Sequence, residues 1–298
     1  MLTDNARGAI FMMLAMAAFT INDTFMKLLS AEIPLFQALF IRGIASVAAF
    51  LCLSGWMGGL RFDFGRRDWI LIGLRTTGEV GAAYFFLTAL FNMPLANVTA
   101  VLQALPLTVT LAAALFLAEP VGWKRLTAIL VGFLGVMLII RPGPDGFNIY
   151  ALMALASVAC VTLRDLATRR LSDRVPSIVV ALCAGIGVTA SAGIASLWVP
   201  WAMPSAAGLG FLSGAAVFVV AGYILSVTAV RAGDLGFVSP FRYTGLLWAL
   251  VLGLLIFGDW PDGLTLMGAA IIVTTGLFTL FRERATGRRK ASALRDPS

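Results

Sequence analysis

The chain reads as an all-α polytopic membrane protein, ten transmembrane helices in two inverted five-helix repeats, and three observations predict it. Hydrophobic residues make up 60% of 298, and 30 Gly raise the apolar-plus-Gly share to about 70%, against roughly 45–50% in a soluble domain. Residues 175–230, 56 in all, hold no charge, which is room for two spans of ~20 residues and a turn. A pattern beginning at Tyr84 returns at Tyr223, five spans later.

Charges, Pro and Gly-rich turns divide the apolar runs into helices at 8–29, 34–56, 69–91, 95–118, 122–140, 148–168, 175–199, 207–229, 236–257 and 263–281. The first run follows a short polar start and lacks a small-residue cleavage site, so it reads as a span and not a removed signal peptide. The third and fourth are separated only by Asn92-Met93-Pro94, a hairpin whose Pro suits the first turn of a helix. The runs are long and do not alternate, which excludes a lipid-facing sheet. The last residues, 283–298, are basic and polar and read as a disordered cytoplasmic tail.

An even number of spans puts both termini on one side. With that side cytoplasmic, 17 of the 22 Lys and Arg fall in inside segments and only Lys27 and Arg141 at outside junctions. The basic excess therefore sets an orientation with both termini inside and needs no nucleic-acid partner. Glu32, Asp145, Asp259 and Asp262 fall on the outside turns, with Trp198, Trp201 and Trp260 as interfacial anchors.

Residues 84–120 and 223–261 carry the repeat. Tyr84 aligns with Tyr223, Asn92 with Arg231, Gln103 with Arg242, and Glu119-Pro120 with Asp259-Trp260-Pro261 after one insertion. Upstream, Asn22-Asp23 with Lys27 matches Arg164-Asp165 with Arg169. Each half holds five spans, so the second enters the membrane inverted, an arrangement suited to alternating access. The halves are 1–143 and 144–282, and helices 1–5 are expected to rock against 6–10.

Several functions are unsupported by composition. With no His and only Cys52, Cys160 and Cys183, all in apolar runs, a metal site, His-based catalysis and a disulfide scaffold have no basis. The Gly clusters lack the Lys-Ser/Thr ending of a phosphate loop, and no filter of repeated carbonyl or charge rings suggests a channel. No cofactor and no catalytic residue is expected. A membrane scaffold is the remaining alternative to a carrier, separated from it by saturable solute flux.

These residues give the chain a family. It resembles the drug/metabolite transporter superfamily and, within it, the bacterial EamA-type permeases, over about residues 6–282. The resemblance is carried by Asn22-Asp23 with Lys27, Pro34 to Arg42, Asn97 to Pro106, Glu119-Pro120, and Gly132-Phe133-Leu134-Gly135-Val136 ending at Arg141-Pro142-Gly143. It implies secondary transport of a small organic metabolite across the bacterial inner membrane by a monomer or homodimer. Within the family the chain looks like the branch associated with uptake of S-adenosylmethionine or riboflavin, the other reading being export of amino acids, amines or drugs. In the second half Arg164-Asp165-Leu166 departs from the expected polar mark.

Charged groups inside spans are costly and mark candidate sites. Asp23 and Lys27 are four apart, one helix face, beside Asn22; they engage solute or gate the outer side, or simply pair. Arg42 must meet a solute anion or a protein acid such as Asp23. Arg75 and Glu79, also four apart, form a structural bridge or an inner gate. Arg242, Tyr243 and Gln103, set opposite one another by the repeat near Pro106 and Pro240, are the chosen solute-binding groups, with Arg42 and the ring-stacking candidates Tyr84 and Tyr223. Coupling is to protons through Asp23 or Glu79, or is exchange; sequence leaves both open.

Overall fold

The computed structural model describes residues 3–55, 60, 62–118, 121–141, 148–172, 174–233 and 235–293, with the side chains of 235, 236 and 283–293 left out. Arg61, Glu119-Pro120, Pro142-Gly143, Asp145 and residues 294–298 lie outside them. Ten helices among the described residues are long and apolar enough to cross a membrane. They are α1 Asp4–Leu29, α2 Leu35–Ser54, α3 Arg66–Asn92, α4 Leu95–Leu117, α5 Trp123–Ile140, α6 Ile149–Arg169, α7 Ser177–Ser196, α8 Ala206–Ala232, α9 Ser239–Phe257 and α10 Gly263–Arg282. The face where α1 begins and α10 leaves the membrane is called proximal, the opposite face distal.

Local chemistry starts the helices. The side chains of Thr3, Asn148 and Ser205 accept from the backbone N–H of Ala6, Tyr150 and Gly208, satisfying donors that a first turn leaves orphaned. Pro34, Pro94 and Pro176 precede α2, α4 and α7, where a missing N–H costs nothing. The exposed Trp198, Trp201 and Trp260 lie on distal turns, as expected of interfacial anchors. The basic tail is not a coil at its start: the backbone of α10 runs on as helix to Ala293. A helix already nucleated gains a hydrogen bond with each added residue, which carries it onward.

The fourth helix of each half is broken at the repeat-equivalent place. In α4 the α-helical turns stop at Leu102 and resume at Leu105, because Pro106 cannot donate to the carbonyl of Leu102. In α9 the turns around Pro240 tighten to a 3₁₀ segment, Ser239–Tyr243, before α-helix resumes at Thr244. Further along, α9 widens into a π-turn over Gly253–Phe257. That turn absorbs the one inserted residue, and both helices then end in left-handed residues, Ala118 and Gly258.

The halves interleave. The most extensive packing joins α1 to α8, α3 to α6, α2 to α7 and α5 to α10, with α4 also against α9, each pair taking one helix from each half. Exchanging helix n with n+5 maps α1–α8 onto α3–α6, α2–α8 onto α3–α7, and α1–α9 onto α4–α6, all of which are packed. This is the two-fold relation of an inverted repeat. It also corrects the expected motion: helices 1–5 cannot rock as a block against 6–10 without parting the tightest interfaces in the molecule.

Close backbone approach makes these crossings possible. A Cβ on Gly135 would lie 2.8 Å from the carbonyl oxygen of Gly268, and one on Gly78 2.9 Å from that of Cys160. At the distal end of the α5–α10 pair Arg141 donates to Asp262, which also accepts from the N–H of Thr265 at 2.9 Å. These donors, Arg141 first, hold the Asp262 carboxyl below the usual range. Its contribution is present above the ordinary carboxylate pKa and fades only as pH falls far into the acid range. Replacing Gly268 by Leu should lower the unfolding midpoint in lipid nanodiscs, a cost of about 1–3 kcal/mol for overpacking, while Gly210→Leu, where open space surrounds the Cβ position, should leave it unchanged.

Candidate functional site

In a bilayer a polar side chain must find its partners within the protein or in a water-filled cavity. The buried charges accordingly fall into two clusters. The distal one joins α1 and α2: Arg42 Nη1 donates to Asn22 Oδ1 at 3.0 Å, and Asn22 Nδ2 donates to Asp23 Oδ1 at 2.9 Å. The amide of buried Asn22 thus links the guanidinium to the carboxylate, where the sequence offered Asp23 itself as a partner of Arg42.

Lys27 does not turn to Asp23. Its ammonium donates to the carbonyls of Leu90, at 3.2 Å, and Met93, sits 5.3 Å from the ring centre of Phe257 and feels the charge of Asp259. These carbonyls close α3, and a cation there satisfies orphan acceptors and the negative end of the helix dipole. Lys27 therefore ties α1 to α3 at the distal face. An apolar plug continues the closure: Met26, Leu29, Leu90 and Leu95 are 0% exposed, Leu87 2% and Ile33 3%, in one cluster with Ala192, Leu212 and Ala249 of the second half.

The proximal side is different. The repeat mates of Met26 and Leu29 are Thr168, exposed, and Leu171, half-buried; the mate of Leu87 is Ser226, also half-buried. The α1–α3 and α1–α4 contacts are closer than any between α6 and α8 or α6 and α9 among the described residues. The molecule thus departs from its own two-fold symmetry in one respect, being packed more closely between α1, α3 and α4 at the distal face than between their mates at the proximal one.

The second ion cluster lies in this proximal half. Glu79 accepts from Arg164 at 3.3 and 3.5 Å and pairs with Arg75 at 3.6 Å. Arg164 Nε donates to Asp165 Oδ1 at 2.9 Å, and Arg75 Nε to Thr168 Oγ1 at 3.1 Å. The Arg75–Glu79 pair expected from spacing is present, but it is half of a larger α3–α6 network. The sequence marks Arg164 and Asp165 as a departing pattern, not as site members. Their alignment with Asn22-Asp23 was the signal that could have found them.

The fourth-helix candidates separate. Gln103 is buried, and a Cβ on Gly245 of α9 would sit 3.8 Å from its Nε2 and 3.7 Å from Met16 Sδ of α1, so it reaches the crossing of the halves as the repeat predicts. Arg242 is surface-accessible and its charged neighbours are Asp165 and Arg164. Tyr243 points elsewhere, 6% exposed against Gly276 of α10. This corrects its expected place beside Arg242, because adjacent residues on a tight helical turn cannot share a face. Tyr223 packs on Phe50, 5.2 Å between centroids, and donates to the carbonyl of Ser177 at 2.9 Å; Tyr84 stacks on Phe36 at 5.7 Å. They occupy separate surroundings and do not form one ring stack.

A family model described as EamA-like transporter family matches residues 6–141. A riboflavin transporter of Rhizobium johnstonii is 30% identical, the match covering 95% of this chain and 94% of that one. An S-adenosylmethionine uptake transporter of Rickettsia conorii is 26% identical over 95% of both chains, and the pseudopaline exporter CntI of Pseudomonas aeruginosa 25% identical over 89% and 93%. A solved crystal structure shares the fold with a TM-score of 0.63 and 20% identity, covering 93% of this chain and 98% of that one.

Removing the bridging amide tests the distal cluster. Asn22→Leu leaves Arg42 and Asp23 each short of a partner and should cost about 1–3 kcal/mol, read as a lower unfolding midpoint in nanodiscs. Asn22→Asp, which keeps an acceptor for Arg42, should retain more stability than the Leu variant.

Proposed function

The chain belongs to the EamA-like transporter family, a multi-pass inner-membrane carrier of a small organic solute and not an enzyme, and from that premise we propose its substrate class, direction and working cycle. The substrate is a ring-bearing metabolite of the kind that the riboflavin and S-adenosylmethionine relatives take up, moved inward. Export is the second reading, favoured by the likeness to the pseudopaline exporter. One observation carries the cycle: a structure built on a two-fold relation packs α1, α3 and α4 more closely at the distal face than their mates at the proximal one.

Both termini are cytoplasmic, on the excess of basic residues at the proximal face, and the repeats divide at 143/144. The looser proximal face then lies at the cytoplasm, and the conformation is inward-facing. The moving bodies are mixed pairs, α1 with α8 and α3 with α6. Lys27 locks the outer face by gripping the end of α3. In the opposite state its repeat mate Arg169 grips the end of α8 at the carbonyls of Ala229 and Ala232, the mates of Leu90 and Met93. Asp23, Asn22 and Arg42 shape the outer side of the central site, Arg75 and Glu79 the inner, and Gln103 and Arg242 contact solute between them. Tyr84, Tyr223 and Tyr243 support the helices around it. Protons enter through Asp23 or Glu79 if the carrier is coupled, and the unit is a monomer or a homodimer.

Purified protein in proteoliposomes should show saturable uptake and counterflow of labelled riboflavin or S-adenosylmethionine, and a pH gradient should alter accumulation if protons are coupled. Flat traces for both solutes, with efflux of a loaded amine or amino acid instead, would replace uptake by export. For the cycle, a single cysteine at Met26 in a background lacking Cys52, Cys160 and Cys183 reads the outer face. Lys27→Ala should raise its labelling by an impermeant maleimide about tenfold or more, the worth of one or two charged hydrogen bonds. Arg169→Ala should lower it. Equal labelling in all three proteins would remove the two latches.

A further inference from the structure

Arg242 is set deep by the repeat. Its mate Gln103 lies at the end of the first segment of α4, and the short helical turn Leu235–Val238 precedes the 3₁₀ segment that holds Arg242. A guanidinium stays charged at any physiological pH and carries five donors in a planar fork, so inside a bilayer it needs an acceptor. The neighbouring charges are already engaged. Arg164 serves Glu79 and Asp165, Glu79 also serves Arg75, and Arg75 serves Thr168. Arg242 makes no hydrogen bond or ion pair among the described residues, although it feels Asp165 and Arg164, and it is exposed. In this cluster three arginines, Arg75, Arg164 and Arg242, face two acids, Glu79 and Asp165, and the surplus positive charge is the one that is accessible.

We propose that the transported solute carries an anionic group, a carboxylate or phosphate, that docks on Arg242. The proposal rests on the transport reading above and narrows it. A fork of donors matches a planar carboxylate or a phosphate face in two parallel bonds, and the positive surplus favours the part of a solute that carries the anion. A sulfonium or amine bearing no anion is the wrong charge for this position.

The test uses pairs that share a ring and differ in the anion: flavin mononucleotide against riboflavin, adenosine monophosphate against adenosine, nicotinate against nicotinamide. Thermal stabilisation of the full chain in nanodiscs is titrated with each. The anionic member of at least one pair should half-saturate at a concentration about tenfold or more below its neutral partner. Arg242→Gln should abolish that preference, and Arg242→Lys should keep part of it; the unliganded unfolding midpoint and size-exclusion profile of each variant report folding. Equal titrations within every pair, no stabilisation by any anion, or a preference that survives in Arg242→Gln would overturn the proposal. Counterflow of the same compounds judges transport separately. Binding through Arg242 without exchange would retain the anion site and sink the transport reading, whereas exchange indifferent to the anion would do the reverse.

Discussion

Everything in this molecule depends on helices of opposite halves packing against each other. In lipid there is no hydrophobic force between helices, so association comes from close packing and from polar groups with nowhere else to bond. The pairs α1–α8 and α3–α6 meet both needs in different ways. On α8, Gly214 and Gly222 are covered by the rings of Phe25 and Phe19 of α1, and Phe25 also meets Phe211 and Phe218 at 5.8 and 6.0 Å. At the mates of Gly214 and Phe218, α3 carries Arg75 and Glu79, which bind α6 through ions. One position in the fold is thus filled by rings in one half and by charges in the other.

That chemical difference matters for a machine whose two faces must alternate. A symmetric backbone with symmetric side chains would leave the two states equivalent. Here the distal face closes on an apolar plug pinned by an ammonium on helix carbonyls, and the proximal half carries an ion network. At the proximal end the buried clusters are smaller and join other helices, α1 to α8 and α9 around Met12, Ala229 and Val238, and α2 to α7 and α8 around Phe50, Ile178 and Val220.

The broken fourth helices place polar groups where an unbroken helix would bury only side chains. Pro106 leaves the carbonyl of Leu102 without its helical donor, and Pro240 tightens the chain around Arg242 and turns Tyr243 away to the other side. Broken helices of this sort are tolerated in membranes only where they line a cavity or are buried in protein. Gln103 and Arg242 sit at these breaks, one in each half.

Helix number, near-complete boundaries and the inverted repeat were legible in the sequence, because each depends only on where charge, Pro and apolar runs fall along the chain. The pairing of Arg75 with Glu79 was legible too, since four residues make one helical face. Partner choice was not. Asp23 and Lys27 share a spacing that suggests a bond, yet Lys27 bonds the carbonyls that close α3 and leaves Asp23 to Asn22 and Arg42. Nor does adjacency in sequence keep Arg242 and Tyr243 together. Which helix of the other half lies opposite a side chain, and which face of the molecule is shut, are set by packing between segments more than a hundred residues apart. No local pattern encodes that, so only the tertiary structure decided it.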